Sequence, residues 1–177
     1  MDERVSATDY QAGMDDPRRR ELVWGYFREP AAPRLGHQSV VTRTTMLLDL
    51  HVRAHALGVV CVAPVDVVLD RPNALILQPD VIFVSNDRTA IVRDQVLGAP
   101  DLVVELVSPP TEFRERAMKI EWYAQYGVRE CWLVDPAHRT IVVMNLETKE
   151  ERQFAGDGRI ESWMLPSLLN TAGEFFE

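Results

Sequence analysis

The chain has 177 residues, of which 46% are hydrophobic and 26% are charged, the composition of one ordinary globular domain. Its net charge of −8 argues against a protein that coats nucleic acid through a broad basic surface. No stretch approaches the roughly 20 apolar residues of a membrane span, and the N-terminus does not resemble a signal peptide. We therefore expect a cytoplasmic protein with no membrane partner, in which Cys61 and Cys131 are buried free thiols.

The N-terminal part of the chain predicts a poorly ordered segment followed by the folded domain. Residues 1–20 are polar, so we expect little order there and a single domain over residues 21–177. Residues 21–27 predict a short strand, with Gly25 as a bulge or a point of close backbone approach.

One long helix is the next predicted element. Over residues 37–57 the inward-facing positions recur at helical spacing, and Gly58 follows as a residue that suits the end of a helix. The predicted inward face consists of Val40, Val41, Thr44, Leu47, Leu48, His51 and Val52.

Strand patterns dominate the middle of the chain. Residues 59–69 are rich in β-branched residues, and residues 75–84 form a second strand pattern that is interrupted by the sequence QPD. Residues 101–107 are almost continuously apolar, which is typical of a central strand buried on both faces. A carboxylate in such a strand is costly unless it is paired or binds a metal, so Glu105 requires a specific partner.

A second helix and several short strands complete the predicted fold. The helix is expected to begin at Thr111 and to end at Gly127. Its predicted apolar face consists of Phe113, Ala117, Ile120, Tyr123 and Ala124. The later elements are strands at 130–134 and 140–146, a hairpin at 152–160, and a closing helix or turn at 165–176. The order of strands and helices predicts an α/β domain with a mixed sheet and helices packed against it.

The acidic residues of the strand patterns suggest a metal site. Mg²⁺ prefers oxygen ligands and is often held by one or two carboxylates together with water and phosphate oxygens. Asp101 and Glu105 share a strand face, but four residues at about 3.3 Å each separate them by roughly 13 Å, too far for one site. Asp80 opens another strand, which can place it opposite Glu105. We therefore favour Asp80 and Glu105 and interpret Asp101 as a residue held by the turn before its strand.

Each candidate also has a purely structural interpretation. Asp80 can be a turn residue, and Glu105 can be a buried acid paired with an arginine. Lys119, which lies among apolar neighbours on the second helix, can be a surface lysine paired with Glu115 one turn earlier.

Several motifs together resemble one bacterial family. They are QPDVIFV, GAPDLVVELVSP and K-x-x-x-Y-x-x-x-G-V-x-E-x-W-L-V-D-P. They are similar to the Uma-two family of restriction-endonuclease-like proteins, within the PD-(D/E)XK nuclease superfamily, and the resemblance runs from Glu21 to the C-terminus. It implies a restriction-endonuclease-like core with a central mixed β-sheet flanked by α-helices. It also implies cleavage of DNA at a site that uses Mg²⁺ or Mn²⁺, and a homodimer would suit cleavage of both strands.

The resemblance also implies roles for individual residues. Asp80 matches the metal-binding aspartate and Glu105 the acid of the (D/E)XK element, whose lysine would fall at position 107, where this chain has Val107. The lysine of the family is expected on the following helix, here Lys119. The two carboxylates would hold the metal, a backbone carbonyl near Leu106 would complete its ligands, and the lysine would orient the attacking water or neutralise developing charge.

Some features of the sequence leave alternatives open. Trp24 and Tyr26 stand where relatives commonly have acids, and His37 can either touch the site or be a polar surface residue. Tyr123 is expected to pack as a core residue beside the lysine. One alternative function is a catalytically degenerate nuclease fold that binds DNA or protein, which Val107, Trp24 and the net charge favour. Another is an assembly protein that associates through an exposed edge strand at 140–146.

Overall fold

The computed structural model describes residues 4–12, 20–29, 32, 34–107 and 113–177. The predicted helix start at Thr111 and the side chain of Phe113 lie outside the described residues.

The described residues form three α-helices and eleven β-strands. The α-helices are α1 (Ala7–Ala12), α2 (Leu35–Ala54) and α3 (Phe113–Tyr126). The strands are β1 (Glu21–Val23), β2 (Tyr26–Arg28), β3 (Gly58–Val62), β4 (Val67–Asp70), β5 (Leu75–Leu77), β6 (Val81–Ser85), β7 (Val96–Leu97), β8 (Leu102–Leu106), β9 (Glu130–Asp135), β10 (Thr140–Asn145) and β11 (Glu151–Ala155). Two 3₁₀ segments among these residues span Asn86–Ile91 and Ala172–Phe176.

The strands form two sheets. The larger has six strands in the order β11-β10-β9-β8-β6-β3, and the smaller has five in the order β2-β1-β5-β4-β7. Both sheets are mixed, because β8 runs parallel to β9 and β4 runs parallel to β7 while the other neighbours are antiparallel. The predicted mixed α/β class is confirmed, with two sheets where a single central one was expected.

The larger sheet lies between two apolar layers. On one face it packs against α2 and the C-terminal segment, in a core that contains Leu48, Trp132 and Phe175. On the other face it packs against the smaller sheet and α3 through residues such as Leu77, Val103 and Tyr123. This burial on both faces explains why β8 reads as a continuous apolar run: each of its five residues is buried.

Two predicted elements are confirmed closely. The seven residues predicted to face inward on the first long helix are the seven that α2 buries. The apolar run at 101–107 forms β8, which lies between β6 and β9 inside the larger sheet. In both cases the spacing of apolar residues in the sequence correctly predicts which side chains are buried.

Several predicted elements divide in the structure. Residues 21–27 form the β1–β2 hairpin, in which Trp24, with φ 54°, and Gly25 make the turn. The pattern at 59–69 yields β3 and β4, and the pattern at 75–84 yields β5 and β6, with one strand of each pair in each sheet. Within residues 59–84 the chain therefore crosses twice between the sheets, and the second crossing lies at the QPD sequence that interrupts the pattern.

The end of α2 also differs from its prediction. Ala56, with φ 49°, adopts the left-handed conformation after the helix. Gly58 instead opens β3, where a Cβ atom would lie 2.0 Å from the carbonyl oxygen of Val84. This glycine serves close strand pairing rather than helix termination.

The C-terminal strands correct two expectations. β11 pairs with β10, so the hairpin lies before residue 151, and the hairpin predicted at 152–160 is wrong. β10 lies between β9 and β11, so residues 140–146 are not an exposed edge. The edge through which an assembly protein was expected to associate is therefore already paired.

The second helix buries part of the face that was expected, with Tyr123 buried and Ile120 partly buried, and it buries Lys119 as well. Lys119 and Tyr123 are buried, whereas Ala124 is exposed. Ile120, Trp122 and Tyr126 are partly buried against the core.

The two cysteines are both free thiols. Cys131 is buried as predicted, while Cys61 is only partly buried.

The N-terminal segment contributes a helix within its described part. Ala7 and Tyr10 of α1 are buried against Leu22 and Ile76 on the smaller sheet. The Tyr10 hydroxyl donates a hydrogen bond to Asp66 Oδ1 at 3.0 Å. Residues 7–12 are thus packed, although the division of the whole chain at residue 20 stays a prediction.

Within the described ranges, no helix combines the length and the apolar character that crossing a bilayer requires.

Candidate active site

The site lies where the two sheets meet. β5 of the smaller sheet leads through Gln78 and Asp80 into β6 of the larger sheet. β6 pairs antiparallel with β8, and the register that sets Val81 opposite Val104 puts Asp80 opposite Glu105 at the next step. Asp80 is fixed there because its Oδ2 atom accepts a hydrogen bond of 2.8 Å from the backbone N–H of Leu106. The structure thus brings together the two predicted carboxylates.

Lys119 reaches the same point from α3. Its Nζ atom lies 2.7 Å from Glu105 Oε1, and only 7% of the residue is exposed. The alternative pairing with Glu115 is wrong, because Glu115 forms an ion pair with Arg28. All three predicted side chains therefore converge, as the pattern of acids and lysine suggested.

A second carboxylate shares the lysine. Glu21, at the start of β1, places Oε1 2.9 Å from Lys119 Nζ and is 1% exposed. The same oxygen accepts the backbone N–H of Gln78 at 2.9 Å, and Oε2 lies 3.7 Å from Arg28. The ammonium group therefore lies between two buried carboxylates, one from each sheet.

Tyr123 completes the contacts of Glu105. Its hydroxyl donates to Glu105 Oε1 at 2.5 Å, so Oε1 receives both the tyrosine and the lysine. Among the described residues, Oε2 of Glu105 receives no hydrogen bond. Both protein contacts of this carboxylate are thus made through one of its two oxygens.

Glu105 and Lys119 each shift the pKa of the other, and the neighbouring carboxylates contribute to both shifts. Burial raises the pKa of Glu105, and the charges of Asp80 and Glu21 add to this rise while Lys119 opposes it. Burial alone would lower the pKa of Lys119, but Glu105 and Glu21 outweigh it and raise that pKa above its ordinary value. The raised pKa favours the ammonium form of Lys119 between the two carboxylates.

The pKa of Glu21 shifts in the opposite direction to that of Glu105. Burial raises it, but Lys119, the N–H of Gln78 and Arg28 together outweigh burial and lower it below 4.5. Burial raises the pKa of Tyr123 well above 10.0, and the charge of Glu105 adds to the rise, so its hydroxyl stays a donor. The ionised form of Glu21 is thus favoured beside the lysine.

His37 lies beside the site at the start of α2. Its Nε2 atom is 3.6 Å from Asp80 Oδ2, and its Nδ1 atom is buried without a hydrogen-bond partner among the described residues. The reading of His37 as a polar surface residue is therefore wrong, because the ring faces Asp80.

Other buried acids are engaged in structural contacts. Asp101 accepts the backbone N–H of Ser85 at 2.7 Å and pairs with Arg88 at 3.1 Å. These contacts are structural, as interpreted, but they do not come from the turn at 98–100 that was expected to hold Asp101. Glu130 accepts hydrogen bonds from the Trp132 indole and the Ser162 hydroxyl, both at 2.6 Å, and so joins β9 to the C-terminal segment.

The donor set suits a hard divalent cation of the magnesium type. Mg²⁺ takes one or two carboxylates and keeps several waters, whereas zinc is usually held by three or four His, Cys or acidic ligands. Asp80 and Glu105 supply two carboxylates on adjacent strands, with Oε2 of Glu105 available. No group of three or more His, Cys, Asp or Glu side chains that could hold a metal ion is found in the described part of the chain.

Glu21 and Tyr123 are the residues of the site that the sequence did not assign. Glu21 opens a three-residue strand and lies far along the chain from its partners, so no local spacing links it to them. Tyr123 follows Lys119 by one helical turn, and this spacing could have indicated that both side chains face the same carboxylate.

The fold and the site define a class of mixed α/β protein in which two carboxylates and a lysine meet at the ends of central strands. The chain belongs to the Uma2 family, described as "Putative restriction endonuclease", which matches residues 8–172. The family expected from the sequence motifs is confirmed, and the chain is nuclease-like in class.

The fold is also that of a solved structure. It is similar to the crystal structure of a "putative nuclease belonging to DUF820" from Anabaena variabilis, with a TM-score of 0.80, 15% sequence identity and coverage of 97% of each chain. At that identity the likeness shows the fold alone. No curated protein matches the chain.

Proposed function

We propose that this protein is an endonuclease that hydrolyses phosphodiester bonds of DNA with a divalent metal ion, Mg²⁺ or Mn²⁺. The observation that carries the proposal is the convergence of Asp80, Glu105 and the Lys119 ammonium group at one point between the sheets. Membership of the family described as "Putative restriction endonuclease" supports the same class of reaction.

The proposed role of each residue follows from its contacts. Asp80 and Glu105 would hold the metal, together with the backbone carbonyl of Leu106. When bound, such an ion lowers the pKa of a water molecule and offsets charge on the phosphate. Lys119, fixed beside Glu105, would orient the attacking water or stabilise negative charge that develops on the phosphoryl oxygens.

The proposal includes assignment to the PD-(D/E)XK superfamily with the lysine displaced from its usual strand. Val107 occupies the usual lysine position, and its backbone N–H bonds to Val134 O at 2.7 Å within the sheet. Lys119 supplies the amine from α3 instead. A homodimer that cuts both strands and a cytoplasmic location are further parts of the proposal.

The decisive experiment combines cleavage with metal binding. Supercoiled DNA is incubated with Mg²⁺ or Mn²⁺ and wild-type protein, Asp80→Asn, Glu105→Gln or the exposed-site control Asp157→Asn. We expect nicking by wild type and the control, and loss of both nicking and calorimetric Mn²⁺ binding in the two site variants. Equal nicking by all four proteins would contradict the proposal.

A second candidate is a catalytically inactive fold that binds DNA or protein. The observation in its favour is that Glu21 and Glu105 both contact the single lysine, which leaves less of its charge for a phosphate. This candidate predicts a ligand bound equally well with and without Mg²⁺, and no nicking under any condition.

A further inference from the structure

Glu21 contacts the site through Lys119, and among the described residues it also contacts Gln78 and Arg28 rather than Asp80 or Glu105. It comes from β1 of the smaller sheet, whereas Asp80 and Glu105 lie opposite each other at the ends of β6 and β8. Three groups hold its carboxylate in place: the Gln78 N–H at 2.9 Å, Lys119 at 2.9 Å and Arg28 at 3.7 Å. At 1% exposure it is a fixed, buried anion.

Lys119 consequently has two anionic anchors with different surroundings. Glu105 can turn an oxygen towards a cation, since Oε2 receives no hydrogen bond among the described residues. Glu21 has a backbone donor and a guanidinium group on its other sides, so both of its oxygens are engaged. A cation at Glu105 would compete with the ammonium group for that carboxylate, because both are positive and lie at the same residue.

We infer that Glu21 is a positioning residue that retains the Lys119 ammonium group when Glu105 turns to a divalent cation. The inference rests on the proposed function. Glu21 offsets the repulsion between ammonium and metal, so that both cations can occupy the site together. Without it the lysine would depend on Glu105 alone and would oppose metal binding there.

A double-mutant cycle on Mn²⁺ affinity tests this, with calorimetry as the readout. The proteins are wild type, Glu21→Gln, Lys119→Met and the double variant, with Glu121→Gln on the exposed side of α3 as a control for loss of one charge. We expect Glu21→Gln to weaken Mn²⁺ binding about tenfold when Lys119 is present, the size of one charge-assisted contact, and much less when it is absent.

The cycle separates positioning from other effects. If the negative charge of Glu21 acted only on the metal directly, Glu21→Gln would weaken Mn²⁺ binding equally in the presence of Lys119 and in the Lys119→Met variant. That result would overturn the inference. If wild-type protein bound no Mn²⁺, the proposed function would fail and the inference with it. An equal loss in the two backgrounds leaves the proposed function standing, so the two failures are distinguishable.

A second measurement needs neither metal nor the Lys119→Met variant. The chain has two lysines, Lys119 and the exposed Lys149, so protein labelled with ¹⁵N-lysine gives one buried and one surface ammonium signal. Glu105→Gln imitates a Glu105 charge that has been taken up by a cation. We expect the Lys119 ammonium protons to stay protected from exchange with water in this variant. Loss of protection in Glu105→Gln alone, at the rate of Lys149, would overturn the inference.

Discussion

At the scale of single residues, the candidate site is built around one buried amine. Lys119 Nζ lies 2.7 Å from Glu105 and 2.9 Å from Glu21, so its removal leaves two carboxylates buried near each other without their shared cation. Removing one member of a buried group of ion pairs destabilises the fold more than replacing every member with apolar residues. The reason is that the remaining charges are then buried without a partner.

Lys119→Met should lower the initial rate of DNA nicking by about 10²–10³-fold, the usual cost of losing one preorganised charge-stabilising group. Lys149→Met is the matched control, because Lys149 is exposed and has no part in the site. An unchanged rate in Lys119→Met, with nicking still dependent on metal, would remove the lysine from the mechanism.

Tyr123 gives a prediction about stability. Its buried hydroxyl donates to Glu105 Oε1 at 2.5 Å. Tyr123→Phe should lower the free energy of unfolding by about 1.5–3 kcal/mol, the range for a hydrogen bond to a charged group, as measured by urea denaturation. The matched variant Tyr26→Phe removes a hydroxyl from a residue that is 50% exposed and should change stability by less than about 0.5 kcal/mol.

At the scale of elements, the last turn of α3 is attached to the smaller sheet by a polar contact. The Tyr126 hydroxyl donates to Asp70 Oδ2 at 2.6 Å, at the end of β4. Lys119 lies two turns earlier on the same helix, so this contact also bears on where the amine is held. The hydrogen bond raises the pKa of Tyr126 to about 12 and, with the contacts of Asn73, lowers the pKa of Asp70.

The acid dependence of stability should report this contact. The pKa of Asp70 in the folded protein lies below its ordinary value of 3.8, so the folded state favours the ionised form. The resulting stability is present above pH 3.8 and is lost as the pH falls through that value towards the folded pKa. In Tyr126→Phe the unfolding free energy should therefore fall less steeply with acid than in wild type. Parallel curves would show that the hydrogen bond does not form in solution.

At the scale of the whole molecule, helix α1 packs against the smaller sheet. Tyr10 is 9% exposed and packs against Leu22 and Ile76, while its hydroxyl bonds Asp66. Asp66 also accepts from Gln78, whose backbone N–H holds Glu21. The packing of α1 is thus connected to the site through two buried polar residues.

Tyr10→Ala should lower the free energy of unfolding by about 3 kcal/mol, because a large aromatic side chain leaves a cavity against the sheet. Tyr10→Phe, which keeps the ring and removes only the hydroxyl, should cost about 1 kcal/mol. Thermal or urea unfolding measures both. Wild-type stability in Tyr10→Ala would instead support the expectation of poor order over residues 1–20.

The sequence by itself determined the family, the mixed α/β class, the inward face of α2 and the buried position of β8. It also identified Asp80, Glu105 and Lys119 as residues that belong together. These features follow from local sequence patterns. Helical spacing and continuous apolar runs indicate which side chains are buried. An acidic residue inside such an apolar run needs a partner, because an unpaired buried charge is costly.

Only the tertiary structure decided how the strands divide between two sheets and which distant groups complete the site. The crossings after β3 and β5 depend on pairing partners elsewhere in the chain, and β10 is internal because β11 returns to it. Glu21 reaches Lys119 through the packing of the smaller sheet against α3, and His37 reaches Asp80 from the start of α2. Such contacts join residues that are far apart in sequence, where no periodicity or spacing relates one side chain to the other.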